Sequence, residues 1–219
     1  EDDREWRIHQ GENGLPGQEL AQRLQITEQL VHVDVLAPDV ATERGVEHVG
    51  QRTADRVVPQ HAVERFERVV PADDGLVLVE AGYGDKWTDR DRAMYELERR
   101  TVVDALAEFA VDPRDIAHVV LTHLHFDHCG GSVKWNNDRT GYELAFKNAT
   151  YWSNEKHWKW ATQPNAREKA SFLKENIFPI RESGKLKFLK EGEDLAPFFK
   201  TIWVYGHTEA MMLPVITYN

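Results

Sequence analysis

The sequence predicts an α/β fold, and three features of its second half support this prediction. Short apolar runs, of the length of buried strands, recur from residue 76 onwards. Stretches with helical spacing of apolar residues lie between these runs, and glycine or proline residues mark several of the boundaries. Strands that alternate with helices are typical of proteins in which helices pack on a sheet.

Residues 1–75 contain few predictable elements. Residues 31–36 alternate as a half-buried strand does, and residues 57–70 have apolar residues at helical spacing. Trp6 and Phe66 are the only aromatic residues of this region, which contains arginine but no lysine. Because large apolar side chains contribute most of the burial in a core, we expect this region to be atypical. It is either a divergent part of the fold or sequence from another source.

From residue 76 the pattern of elements is clearer. Residues 76–79 predict a short buried strand, and residues 89–110 predict a helix that ends before Pro113. Residues 117–121 predict a second strand, which leads directly into a cluster of histidines. The further predicted elements are strands at residues 142–146, 148–152, 201–205 and 211–216, a helix that follows an N-cap at Ser153, and a helix at residues 166–176.

The stretch most informative about function is residues 122–131, Thr-His-Leu-His-Phe-Asp-His-Cys-Gly-Gly. Side chains alternate in an extended segment, so His123 and His125 project to the same side. A turn after them can bring Asp127 and His128 to a second position nearby. Imidazole and carboxylate suit zinc, manganese, iron or cobalt and leave coordination positions open for water. Because a metal-bound water is hydroxide near neutral pH, this pattern predicts a metal-dependent hydrolase.

The His-x-His-x-Asp-His pattern, preceded by a strand and Thr122, resembles the signature of the metallo-β-lactamase superfamily. Two outer segments resemble further motifs of that family. Residues 76–85 form a predicted strand that ends in Glu-Ala-Gly where the family has Asp-Thr-Gly, and residues 201–208 end in Gly-His-Thr. The long insert between the two histidine motifs is most similar to the branch that holds N-acyl-homoserine lactonases and methyl parathion hydrolases.

The resemblance implies an αββα sandwich. The family's dinuclear site also uses an aspartate and a last histidine well beyond Gly-His-Thr, whereas this sequence ends at Asn219. Residues 76–219 are therefore expected to form a partial metallo-β-lactamase-like domain that is incomplete at its C-terminus. Residues 1–75 are expected to form an atypical N-terminal region.

The resemblance also implies a ligand set. His123, His125 and His207 would hold a first metal ion, and Asp127 and His128 would contribute to a second. Asp127 is in addition the candidate catalytic residue, since a carboxylate there can orient the nucleophile or deliver a proton to a leaving group. The expected cofactor is Zn²⁺, as one or two ions, with Mn²⁺, Fe²⁺ and Co²⁺ as alternatives.

Four other residues near these motifs receive different roles. Glu80 could orient a ligating histidine, as carboxylates around metal sites do. His118 has the opposite strand parity to the motif histidines and is expected not to bind metal. Cys129 is expected to be a small buried residue. His157 lies among tryptophans, where packing is favoured over a place in a substrate pocket.

Composition excludes several classes of function. The 219 residues carry a net charge of −10, which argues against nucleic acid as substrate or partner. No apolar run is long enough to span a membrane. A single cysteine excludes an internal disulfide and fits a reducing compartment, so a cytoplasmic location is expected. The expected partner is a small-molecule substrate, and the oligomeric state stays open.

Three functional hypotheses follow from these observations. The first is a lactonase-like hydrolase of esters or lactones, in which the aromatic insert supplies an apolar pocket and Tyr83 and Trp87 border the site. The second is phosphotriester hydrolysis by the same kind of site. The third is a catalytically silent metal-binding fragment or chimera, which would bind metal without hydrolysis.

Overall fold

A computed structural model describes residues 68–217 of the chain. The predicted strand at residues 31–36 and most of the predicted helix at residues 57–70 lie outside these residues. The end of that helix prediction is wrong, because residues 68–70 belong to strand β1 (Arg68–Ala72). β1 pairs antiparallel with β2 (Gly75–Val79), so sheet pairing overrides the helical spacing of the sequence there. The proposed boundary at residue 75 stays a prediction.

Seven further strands and five α-helices follow β2 in the described residues. The strands are β3 (Ile116–Val120), β4 (Val133–Trp135), β5 (Tyr142–Leu144), β6 (Thr150–Ser153), β7 (Leu186–Phe188), β8 (Phe199–Val204) and β9 (Met211–Ile216). The helices are α1 (Asp89–Tyr95), α2 (Val102–Glu108), α3 (Phe126–Cys129), α4 (Glu155–Thr162) and α5 (Lys174–Glu182). Short 3-10 helices are found at Pro113–Asp115, Gly130–Ser132 and Lys169–Ser171.

A five-stranded sheet in the order β1-β2-β3-β6-β7 organises the described residues. β2, β3, β6 and β7 run parallel, and β1 is antiparallel at one edge. Val79, Val120 and Trp152 lie in register near the carboxyl ends of three adjacent strands. The loops that follow these strands therefore meet at one edge of the sheet, where α/β proteins place their ligands. The predicted α/β class is confirmed.

Both faces of the sheet are covered. Leu78 and Val119 face the main core, which also contains apolar residues of α2, α4 and α5. Val79 and Val120 face the other side, where they form a smaller cluster with Phe199 of β8. Because a parallel sheet buries apolar side chains on both faces, its strands are continuously apolar in sequence. This property made residues 76–79 and 117–121 recognisable as strands.

The helix predicted at residues 89–110 is two helices. α1 ends where Glu96 adopts a left-handed conformation with a φ of 53°. α2 begins at a capping box, in which the Thr101 side chain accepts from the Asp104 backbone and the Asp104 side chain accepts from Thr101. The single helix prediction missed this break, because the apolar spacing continues across it.

Two other helix boundaries differ from the sequence prediction. Ser153 is the last residue of β6, and the helix cap is Asn154, whose Oδ1 accepts a hydrogen bond from the His157 backbone at 2.7 Å. The helix predicted at residues 166–176 begins only at Lys174. Phe172, just before it, is extended and buried against the ring of a motif histidine. Tertiary packing therefore delays the helix.

The remaining strand predictions are confirmed to within a few residues, whereas β4 and β7, of three residues each, were missed. Within the described part of the chain, no helix has both the length and the apolar character that a membrane span requires.

The loop after β2 makes close backbone contact with the residues that follow the histidine motif. The Ala81 amide donates to the His128 carbonyl at 2.8 Å, and the Gly131 amide donates to the Gly82 carbonyl at 2.9 Å. A Cβ atom added to Gly131 would lie 2.0 Å from the Ala81 carbonyl oxygen, and one added to Gly130 would lie 2.4 Å from the Tyr83 oxygen. The Gly-Gly pair is therefore a requirement of this approach.

Gly131→Ala is expected to lower the free energy of unfolding by about 3 kcal/mol, because the backbone must move to admit a methyl group. Urea unfolding at equilibrium measures this change. Gly141→Ala is the matched control, since its new Cβ would meet only the Asn136 side chain at 3.6 Å. The free energy of unfolding of the control should equal that of the unchanged chain or exceed it by up to about 1 kcal/mol. Equal effects of the two substitutions would contradict the steric argument.

Candidate metal centre

Four histidines converge at the carboxyl edge of the sheet. His123 and His125 lie in the loop after β3, His128 lies in α3, and His207 lies in the loop between β8 and β9. The ring centre of His123 is 4.7 Å from that of His125, 4.0 Å from that of His128 and 5.0 Å from that of His207. The structure thus brings together histidines from two motifs that are far apart in sequence.

His123, His125 and His207 each offer one ligand atom, and these atoms lie within 4.8 Å of one another. The Nε2 atoms of His123 and His125 are buried and have no hydrogen-bond partner within residues 68–217. Buried polar atoms without a partner are rare in proteins and point to a missing ion or water. The three imidazoles therefore fit a divalent cation of the zinc type.

Glu80 joins the loop after β2 to the histidine motif. Its φ of 65° turns the chain out of the strand, and its buried carboxylate lies 2.6 Å from Nδ1 of His128. Its other oxygen accepts from the Thr122 amide at 2.7 Å. Glu80, His123 and His128 form a second group with ligand atoms within 4.8 Å. Because both carboxylate oxygens are already engaged, Glu80 is suited to orient His128, as the sequence suggested.

Asp127 lies next to His128, with Oδ2 at 3.4 Å from the Nε2 atom of that imidazole. The Asp127 side chain is 46% exposed and belongs to neither group of closely spaced ligand atoms. The structure therefore brings the two predicted second-site residues together. Asp127 lies at the open side of the centre, where a substrate could reach it.

The electrostatic environment differs between the histidines. Burial, followed by repulsion from the neighbouring imidazoles, lowers the pKa of His123. Burial, followed by repulsion from His207, lowers the pKa of His125. Both rings are thus neutral at physiological pH, as metal ligands must be. Burial acts against the charged form of His128, but hydrogen bonds to Asp127 and Glu80 outweigh it and raise its pKa to about 10.

His118 and Cys129 have the non-ligand roles that the sequence favoured. His118 is bonded to Asp74 at 3.0 Å and accepts from the Trp152 indole at 3.1 Å, away from the four histidines. Cys129 is buried, and its thiol donates to the Leu124 carbonyl at 3.3 Å. Burial raises the pKa of that thiol, so it is unreactive.

His157 is a buried connector between the two histidine loops. Its Nε2 accepts from the Leu124 amide at 2.8 Å, and its Nδ1 donates to the Glu209 carbonyl at 2.6 Å. These two bonds fix the neutral tautomer and hold both loops against α4. The packing role favoured from the sequence is confirmed, with a tethering role added to it.

Sequence reasoning missed Glu168, which reaches the centre from the insert. Its Oε2 lies 3.6 Å from Nε2 of His125 and accepts from Thr208 at 2.7 Å and from the Trp160 indole at 3.0 Å. Burial alone would raise the pKa of Glu168, but these hydrogen bonds outweigh it and the pKa lies below its usual value. No sequence signal singles this residue out, because it lies in a run of polar and charged residues.

A cavity of about 310 Å³ is reached by one residue of the histidine motif, Phe126, and none of the four histidines lines it. Phe126, which separates two of the motif ligands, lines it together with Trp87 and Tyr95, and the Phe126 and Trp87 ring centres are 5.1 Å apart. Tyr83 also lines it, and the expectation that Tyr83 and Trp87 border the metal centre stays a prediction. The expectation that insert aromatics form the pocket is wrong for Trp158, which packs on the core instead.

Comparison with known proteins agrees with this geometry. The sequence model of the metallo-beta-lactamase superfamily matches residues 69–218. An N-acyl homoserine lactonase of Bacillus thuringiensis is 32% identical to this chain over 110 residues, which are 47% of this chain and 37% of the relative.

Solved structures with a similar fold include a probable metal-dependent hydrolase from Staphylococcus aureus. It matches with a TM-score of 0.61 and 20% identity, over 75% of this chain and 62% of that one. AidC, a dizinc quorum-quenching lactonase solved with a product, matches with a TM-score of 0.51 and 20% identity, over 68% of this chain and 51% of that one. The chain spans less than two thirds of the length of each of these relatives.

We expect the chain to retain at least one divalent transition-metal ion after dialysis against chelator-treated buffer, and His123→Ala to retain none. The reason is that His123 belongs to both groups of closely spaced ligand atoms. Elemental analysis per chain measures this. His118→Ala is the control and should retain as much metal as the unchanged chain. A value near two ions per chain would indicate that a second cation is bound beside His128. Equal metal content in both variants would contradict the assignment.

The stability of the metal-free chain is expected to depend on pH through His157. Burial lowers the pKa of His157 to about 4 in the folded chain, whereas the unfolded value is about 6.5. As pH falls from 6.5 to 4, only the unfolded state gains this proton, so folding loses up to about 1.4 kcal/mol per pH unit. His157→Gln should be less stable at pH 7.5, and the difference should narrow toward pH 4.5. Urea unfolding across this range measures it, and a constant difference would contradict the prediction.

Proposed function

We propose a hydrolytic function for this chain, which belongs to the metallo-β-lactamase superfamily: it is a metal-dependent hydrolase of esters or lactones. The convergence of His123, His125 and His207 carries this proposal, together with the buried Nε2 atoms of His123 and His125, which have no hydrogen-bond partner within the described residues. The predicted fold is confirmed by the family match and by the likeness to solved structures.

Each predicted ligand receives a role in this proposal. His123, His125 and His207 hold the first cation, and Asp127 and His128 contribute to a second. Zinc is the proposed ion, with manganese, iron and cobalt as alternatives. A divalent cation in such a site supplies a Lewis acid that makes a bound water acidic and polarises the acceptor oxygen of the substrate.

Asp127 is proposed as the catalytic carboxylate. Burial would raise its pKa, but the hydrogen bond to His128 and the charge of that imidazole outweigh this and lower it. Asp127 is therefore ionised at neutral pH, with Oδ2 able to accept a proton from the attacking water. The same atom can pass that proton to the leaving oxygen, since the side chain is accessible from the open side of the centre.

The cavity lined by Phe126 is the proposed substrate pocket, with one aromatic wall for an apolar group and with Lys86, Asp91 and Glu175 also in its lining. Trp87, Tyr95 and Phe126 form a wall of mutually contacting rings, with ring centres 5.1 to 5.9 Å apart. Phe126 lies between His125 and Asp127 in sequence, and we propose that an acyl chain on this wall directs its carbonyl toward the centre. An acyl chain has the length and apolar character for such a cavity. The similarity to N-acyl homoserine lactonases supports the same class of substrate.

We expect the metal-loaded chain to hydrolyse N-hexanoyl-homoserine lactone, with a higher kcat/KM than for a dialkyl aryl phosphotriester. His207→Ala should lower kcat/KM about a thousandfold, which corresponds to about 4 kcal/mol of transition-state stabilisation. Ring opening releases one acid equivalent, so a pH indicator assay measures the rate. His118→Ala is the control and should retain the rate of the unchanged chain.

The alternatives give different outcomes in this assay. A preference for the phosphotriester would overturn the choice of substrate class and retain the metal-dependent hydrolase. Metal binding without turnover of any substrate would favour a catalytically silent domain. Turnover that persists in His207→Ala would refute the proposed centre.

A further inference from the structure

A carboxylate from the insert faces the metal-binding side of the histidine cluster. Oε2 of Glu168 lies 3.6 Å from Nε2 of His125, the ring atom that is buried and has no hydrogen-bond partner among residues 68–217. A cation bound at about 2 Å from that nitrogen would lie within about 6 Å of the carboxylate. At such a separation, in a partly desolvated site, the attraction between opposite charges is substantial.

The Glu168 carboxylate is held by neutral hydrogen-bond donors rather than by a cationic side chain of the described residues. Its side chain is only 12% exposed, and no lysine or arginine of residues 68–217 forms an ion pair with it. The two groups that donate to Oε2, the Thr208 hydroxyl and the Trp160 indole, are both neutral. These hydrogen bonds outweigh burial and hold the pKa of Glu168 below its usual value, so the carboxylate carries its negative charge at neutral pH.

If Glu168 only tethered the insert to Thr208 by hydrogen bonding, it would not need a negative charge. The amide oxygen of a glutamine can accept from a hydroxyl and an indole as a carboxylate oxygen does. Glu168 also lies outside both groups of ligand atoms within 4.8 Å of one another, so the geometry does not place it among the candidate ligands. What distinguishes it from glutamine at this position is its negative charge beside the three-histidine group.

We propose that Glu168 is the charge-compensating carboxylate of the His123, His125 and His207 centre, and that it strengthens divalent cation binding without ligating the ion. The inference rests on the proposed function, because it requires that these histidines hold a cation. Glu168 is a positioning residue: it acts on the bound ion through its field, at a distance fixed by its bonds to Thr208 and Trp160.

The test compares cation affinities of charge-neutralised variants. Glu168→Gln is expected to weaken Co²⁺ and Zn²⁺ binding at least about tenfold, as loss of a carboxylate around a metal site does. Glu155→Gln is the matched control: Glu155 is 65% exposed and pairs with Lys159, so the same charge change there should leave both dissociation constants within about twofold. Competition with a chromogenic chelator measures the constants.

Two further measurements separate charge from tethering. The metal-free Glu168→Gln chain should still unfold in one cooperative transition, because the glutamine amide oxygen can accept from Thr208 and Trp160, so that its cation affinity is measured on a folded chain. Thr208→Val removes a hydrogen bond but keeps the charge, so it should weaken cation binding less than Glu168→Gln does.

The outcomes are distinct. Glu168→Gln with unchanged cation affinity would overturn the inference and leave the proposed hydrolase intact. An equal loss of affinity in Thr208→Val would reduce Glu168 to a tether and overturn the inference as well. Failure of the unchanged chain to bind any cation would overturn the proposed function first.

Discussion

The close backbone contact between the loop after β2 and the Gly130–Gly131 pair is the constraint on which the centre depends. This contact joins the loop after β2 to the end of the histidine motif, which follows the neighbouring strand β3. Glu80 is thereby placed where one carboxylate can accept from the Thr122 amide and bond the His128 imidazole. The orientation of that imidazole is a consequence of backbone packing, since any side chain larger than hydrogen would separate the two loops.

The insert holds the second half of the centre in place. His157 bonds backbone atoms of the first histidine loop and of the segment after His207, and Asn154 donates to the Ala210 carbonyl at 2.7 Å. Glu168 adds a bond to Thr208. His207 is itself exposed, so its position depends on these contacts with its neighbours rather than on its own burial.

Burial and charge divide the imidazoles into two kinds. The desolvated His123 and His125 are kept neutral, with nitrogen lone pairs free for a cation, whereas His128 is kept charged by Glu80 and Asp127 when no metal is present. The first three-histidine group is therefore ready to bind, while a cation at the second must displace a proton. In our proposal, Glu168 supplies a negative charge beside the His123, His125 and His207 group, with its Oε2 at 3.6 Å from Nε2 of His125.

The sequence by itself determined the class of fold and the strands that lead into the site, and it singled out the four histidines and Asp127 as candidate ligands, because buried parallel strands and dense ligand clusters leave local patterns. Only the tertiary structure decided which ring nitrogens converge, and that Glu168, forty residues after His128, faces them. It also decided the break at Glu96 and the late start of α5. The physical reason is the same in each case: these features arise from contacts between segments distant in the chain, which leave no periodicity or spacing to read.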